Sequence, residues 1–132
     1  MVIGIVGLFF SGALFATHPA AIAFQAAMFL LMVWARIVLG RHSARVAADP
    51  AARGLVTTGP YAYFRHPIYT AIIHFIWAGA LSHFSWPVLG FAETVTAGAF
   101  TQMHVEEYLL KRRYPEYKDY KRRAKKLIPF VY

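Results

Sequence analysis

The run Ala20-Ala21-Ile22-Ala23-Phe24-Gln25-Ala26-Ala27-Met28-Phe29-Leu30-Leu31-Met32-Val33-Trp34-Ala35-Arg36-Ile37-Val38-Leu39 decides what kind of molecule this is. Wound as a helix at about 1.5 Å per residue, it reaches roughly the ~30 Å of a bilayer's hydrocarbon layer. Outward from it lie three more apolar stretches, Val2 to Ala16, Ile68 to Leu81 and Trp86 to Thr101. All are near the lower limit for crossing, so their ends must extend into flanking residues. Thr17-His18-Pro19 separates the first two stretches and Ser82-His83-Phe84-Ser85 the last two. Breaks this short favour antiparallel hairpins. The expectation is an all-α integral membrane bundle of four transmembrane helices, arranged as two hairpins.

Composition agrees. Of 132 residues, 58% are hydrophobic and only 15% charged, a balance that calls for lipid as solvent over much of the surface. The length suits a single domain, 1–132, with an N-terminal hairpin over 1–40 and a functional core over 54–129. The absence of cysteine excludes disulfides, thiolate metal sites and a thiol nucleophile. A net charge of +8 beside long apolar runs reads as attraction to anionic lipid head groups rather than to nucleic acid.

Every Lys and Arg lies at the end of the second apolar stretch, between Arg41 and Arg65, or after His104, and neither hairpin turn carries one. With four crossings, the N-terminus, the central loop and the C-terminal tail share a side, which the positive-inside tendency makes cytoplasmic. Met1 is followed by no basic segment before the apolar run, so a signal peptide is not expected. Arg36 reads as a snorkelling or paired residue at a helix end rather than a transport gate. Beyond Arg113, Tyr117, Tyr120, Ala124, Leu127 and Ile128 share one helical face and Lys118, Lys121, Arg122 and Lys125 another, the pattern of a C-terminal helix lying in the cytoplasmic interface. Gly12, Gly79, Gly90 and Gly98 are expected at close helix contacts.

Two polar groups sit where apolar segments begin or end. The first runs from Gly54 to Tyr69 and includes Gly59-Pro60-Tyr61 and Arg65-His66-Pro67-Ile68-Tyr69. Pro67 fits the first turn of a helix, which places Arg65 and His66 at its entrance, where anions are favoured. The second is Gln102-Met103-His104-Val105-Glu106-Glu107-Tyr108-Leu109-Leu110. Adjacent acids on a helix point about 100° apart, so one of Glu106 and Glu107 meets a ligand while the other pairs with Lys111 or a basic loop residue. Both groups fall on the same side of the bundle, giving Arg and His donors opposite Glu acceptors beneath Tyr61, Tyr63 and Tyr69. Such a site suits a zwitterionic ligand.

The Gly59 to Tyr69 run, followed by Glu106-Glu107-Tyr108-Leu109 and Tyr114-Pro115-Glu116-Tyr117-Lys118-Asp119-Tyr120, resembles the isoprenylcysteine carboxyl methyltransferase and phospholipid methyltransferase superfamily. The resemblance covers roughly Gly54 to Pro129, closing on Leu127-Ile128-Pro129. It implies a membrane enzyme that binds S-adenosylmethionine near the cytosolic surface and methylates a lipid-borne or lipidated acceptor. It places cofactor contacts at Leu55, Val56, Tyr63, His66, Pro67, Tyr69 and Glu106 or Glu107, and catalytic roles at Arg65, His66, Glu106 and Glu107. Arg65 would orient the pocket or contact an acidic acceptor. Ala71 stands where many relatives have glycine, and Lys125-Lys126 precede Leu127 where a Val-Pro turn is common; these departures bear on the prenyl-cysteine substrate more than on the cofactor. A carboxylate acceptor needs no general base, whereas an amine must be neutral when it attacks. The former is therefore expected, with a phosphatidylethanolamine-type amine as the alternative.

Three other readings compete. His66, His74 and His104 could converge with the Glu pair on a metal, but no His-x-x-x-His or Glu-x-x-His pair occurs, and no metal is expected. A reduced nicotinamide dinucleotide, used by membrane sterol and enone reductases that resemble this superfamily, is larger and more anionic than this acid-bearing chain suits. A non-catalytic lipid-binding subunit would keep the bundle without turnover.

Overall fold

The computed structural model describes residues 1–48 and 54–127; the Ile128 and Pro129 readings lie outside the described residues. Five α-helices follow in order: α1 (Val2–Phe10), α2 (Pro19–Ala48), α3 (Pro67–Ser82), α4 (Trp86–Arg113) and α5 (Tyr117–Arg123), with a 3-10 turn at Gly59–Ala62 before α3. Among the described residues the fold is all-helical, with one isolated parallel bridge between Phe64 and Lys125. Among the described residues one helix is long and apolar enough to cross a membrane, by length and composition: α2 over Pro19–Arg45.

The first apolar stretch departs from expectation. Its helix stops at Phe10, and at about 1.5 Å per residue the nine residues of α1 cover roughly 14 Å. Ser11-Gly12 is the reason. Gly12 takes φ 71°, and the Ala13 and Gly12 N–H groups return to the Leu8 and Phe9 carbonyls at 3.0 and 3.1 Å, a Schellman stop. A turn and irregular chain then complete the path: Met1 lies against Gly98, and His83 Nε2 lies 3.0 Å from the Phe15 carbonyl oxygen. Residues 1–16 thus run antiparallel along the apolar part of α4. The first two segments do not form the expected packed hairpin, because α1 lies chiefly on α4 while α2 lies on α3.

What holds α2 to both neighbours is a buried amide. Gln25 donates through Nε2 to the Leu14 carbonyl at 3.0 Å and the Phe75 carbonyl at 2.9 Å, and its Oε1 accepts from the Ala16 N–H at 2.9 Å. One side chain therefore ties the 11–18 connection, α2 and α3 together. Small residues do the rest. Ala71, Ile76, Gly79 and Ala80 of α3 are buried, as are Ala92, Val95 and Ala99 of α4. Close backbones compensate where lipid supplies no hydrophobic drive between helices. Gly79 shows the limit, since a Cβ there would stand 2.5 Å from the Leu14 carbonyl oxygen. Gly98 is likewise pressed against Met1, but Gly90 faces open space, and Gly12 serves the turn rather than a contact. Large apolar side chains point outward instead, among them Ile3, Phe10, Leu30 and Trp34.

The tail corrects a second expectation. Tyr117, Tyr120 and Ala124 are buried against Leu55, Leu110 and Tyr114, so the apolar face of α5 packs on protein rather than in the membrane interface. Its basic side chains Lys118, Lys121 and Arg122 remain exposed.

Gly79→Ala should destabilise the bundle by about 1–3 kcal/mol through overpacking against a carbonyl that cannot retreat, while Gly90→Ala should be neutral. Thermal unfolding in detergent or nanodiscs checks both; equal midpoints for the two variants would show that the α3 contact is not tight.

Candidate active site

The central loop is shaped for its position. Gly59 has φ 60°, and a Cβ there would meet Val38 of α2 at 3.0 Å, so both conformation and space call for glycine. After the 3-10 turn the chain pairs with the tail: Arg65 N–H donates to the Lys125 carbonyl at 2.7 Å and Lys125 N–H to the Tyr63 carbonyl at 3.0 Å. The buried Tyr120 hydroxyl donates to the Tyr61 carbonyl at 2.8 Å. His66 stands at the N-cap position of α3, without a side-chain capping bond, and Pro67 occupies its first turn, as the sequence suggests.

These constraints aim two basic side chains at the C-terminal end of α4, beyond its apolar part. Arg65 Nη1 donates to Glu107 Oε1 at 2.6 Å, with both side chains about nine-tenths buried. His66 Nε2 lies 3.2 Å from the same oxygen, and its Nδ1 lies 3.6 Å from Glu106 Oε2. Glu106 also accepts from the Tyr69 hydroxyl at 2.5 Å. The acids have divided their work: Glu107 turns inward, while Glu106, with a half-exposed side chain, lines a cleft. The partner of Glu107 is a loop residue, not Lys111; Lys121 of α5 adds a more distant charge at 4.0 Å.

Proton affinities follow from this packing. Burial alone would raise the Glu107 carboxyl, but the His66 hydrogen bond and the Arg65 charge overcome it and hold it down at about 2. Burial likewise works against charge on His66, yet the bonds to Glu106 and Glu107 win and raise its imidazole above the usual value. Glu106 is lowered, its own burial being outweighed by His66 and Tyr69. Burial first, then the Glu106 charge, pushes the Tyr61 phenol up to about 12. Arg65 and Glu107 are thus an ion pair, and His66 and Glu106 are each shifted toward the charged form.

The cleft holds about 760 Å³, within the range of small-molecule sites. Leu55, Val56, Arg65, His66, Pro67, Tyr69 and Glu106 line it, all of them expected site residues. Two expected residues do not: Glu107 stands behind Arg65 and His66, and Tyr63 is 61% exposed with its side chain off the cleft. Residues missed as site candidates form the opposite walls: Arg36, Leu39, His42 and Ser43 of α2, with Arg113 and Tyr114 at the end of α4. The signal was available in the i, i+3, i+7 spacing of Arg36, Leu39 and Ser43, which continues one helical face past the apolar run. His42 Nε2, 3.1 Å from the Gly54 carbonyl, ties that face to the loop. The histidines weighed for a metal do not converge: His74 and His104 each bond a carbonyl one turn back on their own helices. Among the described residues no group of three or more His, Cys, Asp or Glu is placed to hold a metal ion.

Helix-end ion pairs around a cleft of this size accompany a sequence match. A sequence profile of the phospholipid methyltransferase family matches residues 16–117, which include the whole Arg65, His66, Glu106 and Glu107 cluster. The chain belongs to this family. The description of that family is phospholipid methyltransferase. The chain is also similar to a nickel-cobalt-cadmium resistance protein of Alcaligenes xylosoxydans xylosoxydans, 36% identical over 80 residues. That match takes in 57% of this chain and 36% of the relative, so the chain spans about a third of that protein's length. No solved structure matches the chain.

Glu107→Gln leaves Arg65 buried without its counter-charge, and should cost about 3–5 kcal/mol. The pH dependence has two limbs. Glu107 is depressed, so its contribution is present above about pH 4.3 and is lost as pH falls toward 2; His66 is raised, so its share is present below about 6.5 and is lost as pH climbs through the raised value. Unfolding midpoints across pH 3 to 9 should therefore peak between these limits, and Glu107→Gln should flatten the acid limb. An unaltered acid limb in that variant would rule out the carboxylate as its source.

Proposed function

We propose that this protein is an integral membrane methyltransferase that uses S-adenosylmethionine to methylate a lipid-borne acceptor. The observation that carries this reading is the position of Ile72. Its side chain lines the polar cleft and also a second, apolar groove of about 150 Å³, walled by Ile5, Met28, Met32, Phe75 and Ile76. A molecule with a polar head and a hydrocarbon tail matches two such compartments meeting at one residue.

The donor set fits the cofactor. Leu55, Val56 and Pro67 offer apolar surface for an adenine, Glu106 with Tyr69 an anionic end for an ammonium, and His66 a cation for a carboxylate. Tyr63 is left out of this set. When bound, S-adenosylmethionine supplies an electrophilic methyl group. The chain's own residues bind, orient and exclude water, which is how a positioned displacement gains rate. Arg65 and Glu107 act by fixing His66 and the start of α3.

A carboxylate acceptor, as in isoprenylcysteine-type methylation, suits this electrostatics better than an amine. His66 has both ring nitrogens turned to carboxylates that favour its protonated form, and the His66 and Tyr69 contacts favour the ionised form of Glu106, so neither is tuned as a general base. The family's description favours the second reading, a phospholipid amine, for which Glu106 Oε2 is the available proton acceptor. In either case four crossings with both termini cytoplasmic are supported by the path of residues 1–16 along α4 and by the one-sided placement of Lys and Arg.

Calorimetry of the purified protein with S-adenosylmethionine tests the first step, and label transfer from methyl-labelled cofactor to total membrane lipids and prenylated peptides names the acceptor. His66→Ala and Glu106→Ala should each weaken cofactor binding by at least about tenfold, the loss of one charge-assisted contact, with helicity retained. Ile72→Trp should raise the acceptor KM and spare cofactor affinity. Wild-type protein that binds no S-adenosylmethionine would overturn the methyltransferase reading.

A further inference from the structure

Arg36 is the sole charge between Pro19 and Gly40, set in the helix that is long and apolar enough to cross a membrane. Charges within such segments are costly and mark partners or substrates. It lies about 25 Å along α2 from Pro19, where the far edge of a ~30 Å hydrocarbon layer falls. There it lines the cleft.

Its neighbours on the helix give it a context. Met28, Met32, Arg36, Leu39 and Ser43 share one face of α2; the first two wall the apolar groove and the last three the polar cleft. Arg36 is therefore the first polar group on α2 above the groove. Tyr61 and Tyr69 line the same cleft, and at Tyr61 burial first, then the Glu106 charge, outweighs the opposing effect of Arg36 on the phenol.

The other basic groups of the cleft are accounted for. Arg65 is held by Glu107 at 2.6 Å in a buried pair, and His66, set between the two acids, is taken by the cofactor's carboxylate in the reading above, so neither is left for an acidic acceptor. Glu106, the acid of the cleft wall, has its charge met by Tyr69 and His66. Arg113 also lines the cleft, with its guanidinium 5.9 Å from the Tyr114 ring centroid, but it belongs to the end of α4, away from the groove.

We propose that Arg36 forms an anion subsite at the junction of groove and cleft, and that it selects acceptors whose head group carries a carboxylate or phosphate directly above a hydrocarbon tail. This deepens the lipid-borne acceptor reading and moves recognition of an acidic acceptor from Arg65 to Arg36. A guanidinium is suited to the task, since its planar fork binds either oxyanion through paired hydrogen bonds.

The test is binding, so it does not depend on turnover. Dodecanoate, dodecyl phosphate and dodecanol, alike in tail, are titrated by calorimetry into protein in phosphatidylcholine nanodiscs. Wild type should prefer at least one anionic probe over the alcohol by about tenfold or more, and the better of the two identifies the head group. Arg36→Gln should erase the preference, Arg36→Lys should keep part of it, and Arg113→Gln should leave it in place. S-adenosylmethionine affinity in Arg36→Gln should stay within about twofold of wild type. A preference that survives Arg36→Gln, an absent preference in wild type, or an equal loss of cofactor affinity overturns the proposal; the last would assign Arg36 to the cofactor's carboxylate. If wild type prefers the anion yet binds no S-adenosylmethionine, the subsite stands and the methyltransferase reading falls.

Discussion

Two charges taken out of water must find each other, and the Arg65–Glu107 pair is where this fold meets that requirement. The partners are 42 residues apart in sequence and meet at 2.6 Å. Their union fixes the loop that enters α3 against the C-terminal end of α4. Because consecutive helical residues diverge by about 100°, turning Glu107 inward turns Glu106 toward the cleft. On the other strand of the same logic, holding Arg65 places His66 between both carboxylates. The polarity of the cleft wall is thus a by-product of one buried pair.

The rest of the molecule separates a tight interior from a loose exterior. Alanine and glycine let α3 and α4 approach, and the bulky side chains of α1 and α2 face away. Such an inversion of size is sensible only when the surroundings are themselves apolar. Gln25 supplies what packing cannot, a directional link among three segments that would otherwise slide along one another. At about 1.5 Å per residue, the thirty residues of α2 span roughly 45 Å, beyond the ~30 Å hydrocarbon layer, which lets its far end form a wall of the cleft.

The helices and the acid–base cluster were legible from sequence because each rests on a local signal: apolar length, a proline at a first turn, acids at a helix end. What escaped were features that depend on how one segment meets another. Ser11-Gly12 interrupts an apolar stretch whose composition alone reads as continuous. Periodicity gave α5 its two faces but could not say whether the tyrosines met lipid or protein; a hydroxyl bonded to the Tyr61 carbonyl decided it. Glu106 and Glu107 are chemically the same residue, and only the placement of Arg65 tells them apart. Arg36 was visible as a misplaced charge, yet its role needed the groove and the cleft to be seen meeting beside it.

The backbone bridge between Phe64 and Lys125 carries a consequence for the order of assembly. Loop closures over such separations come late, after local helices have formed. During synthesis the helices can form one after another, while the segment that carries Arg65 and His66 stays unfixed until residues beyond α5 have left the ribosome and paired with the central loop. Partially made chains would then carry their helices without a settled ion-pair cluster, so the cleft wall would be completed last.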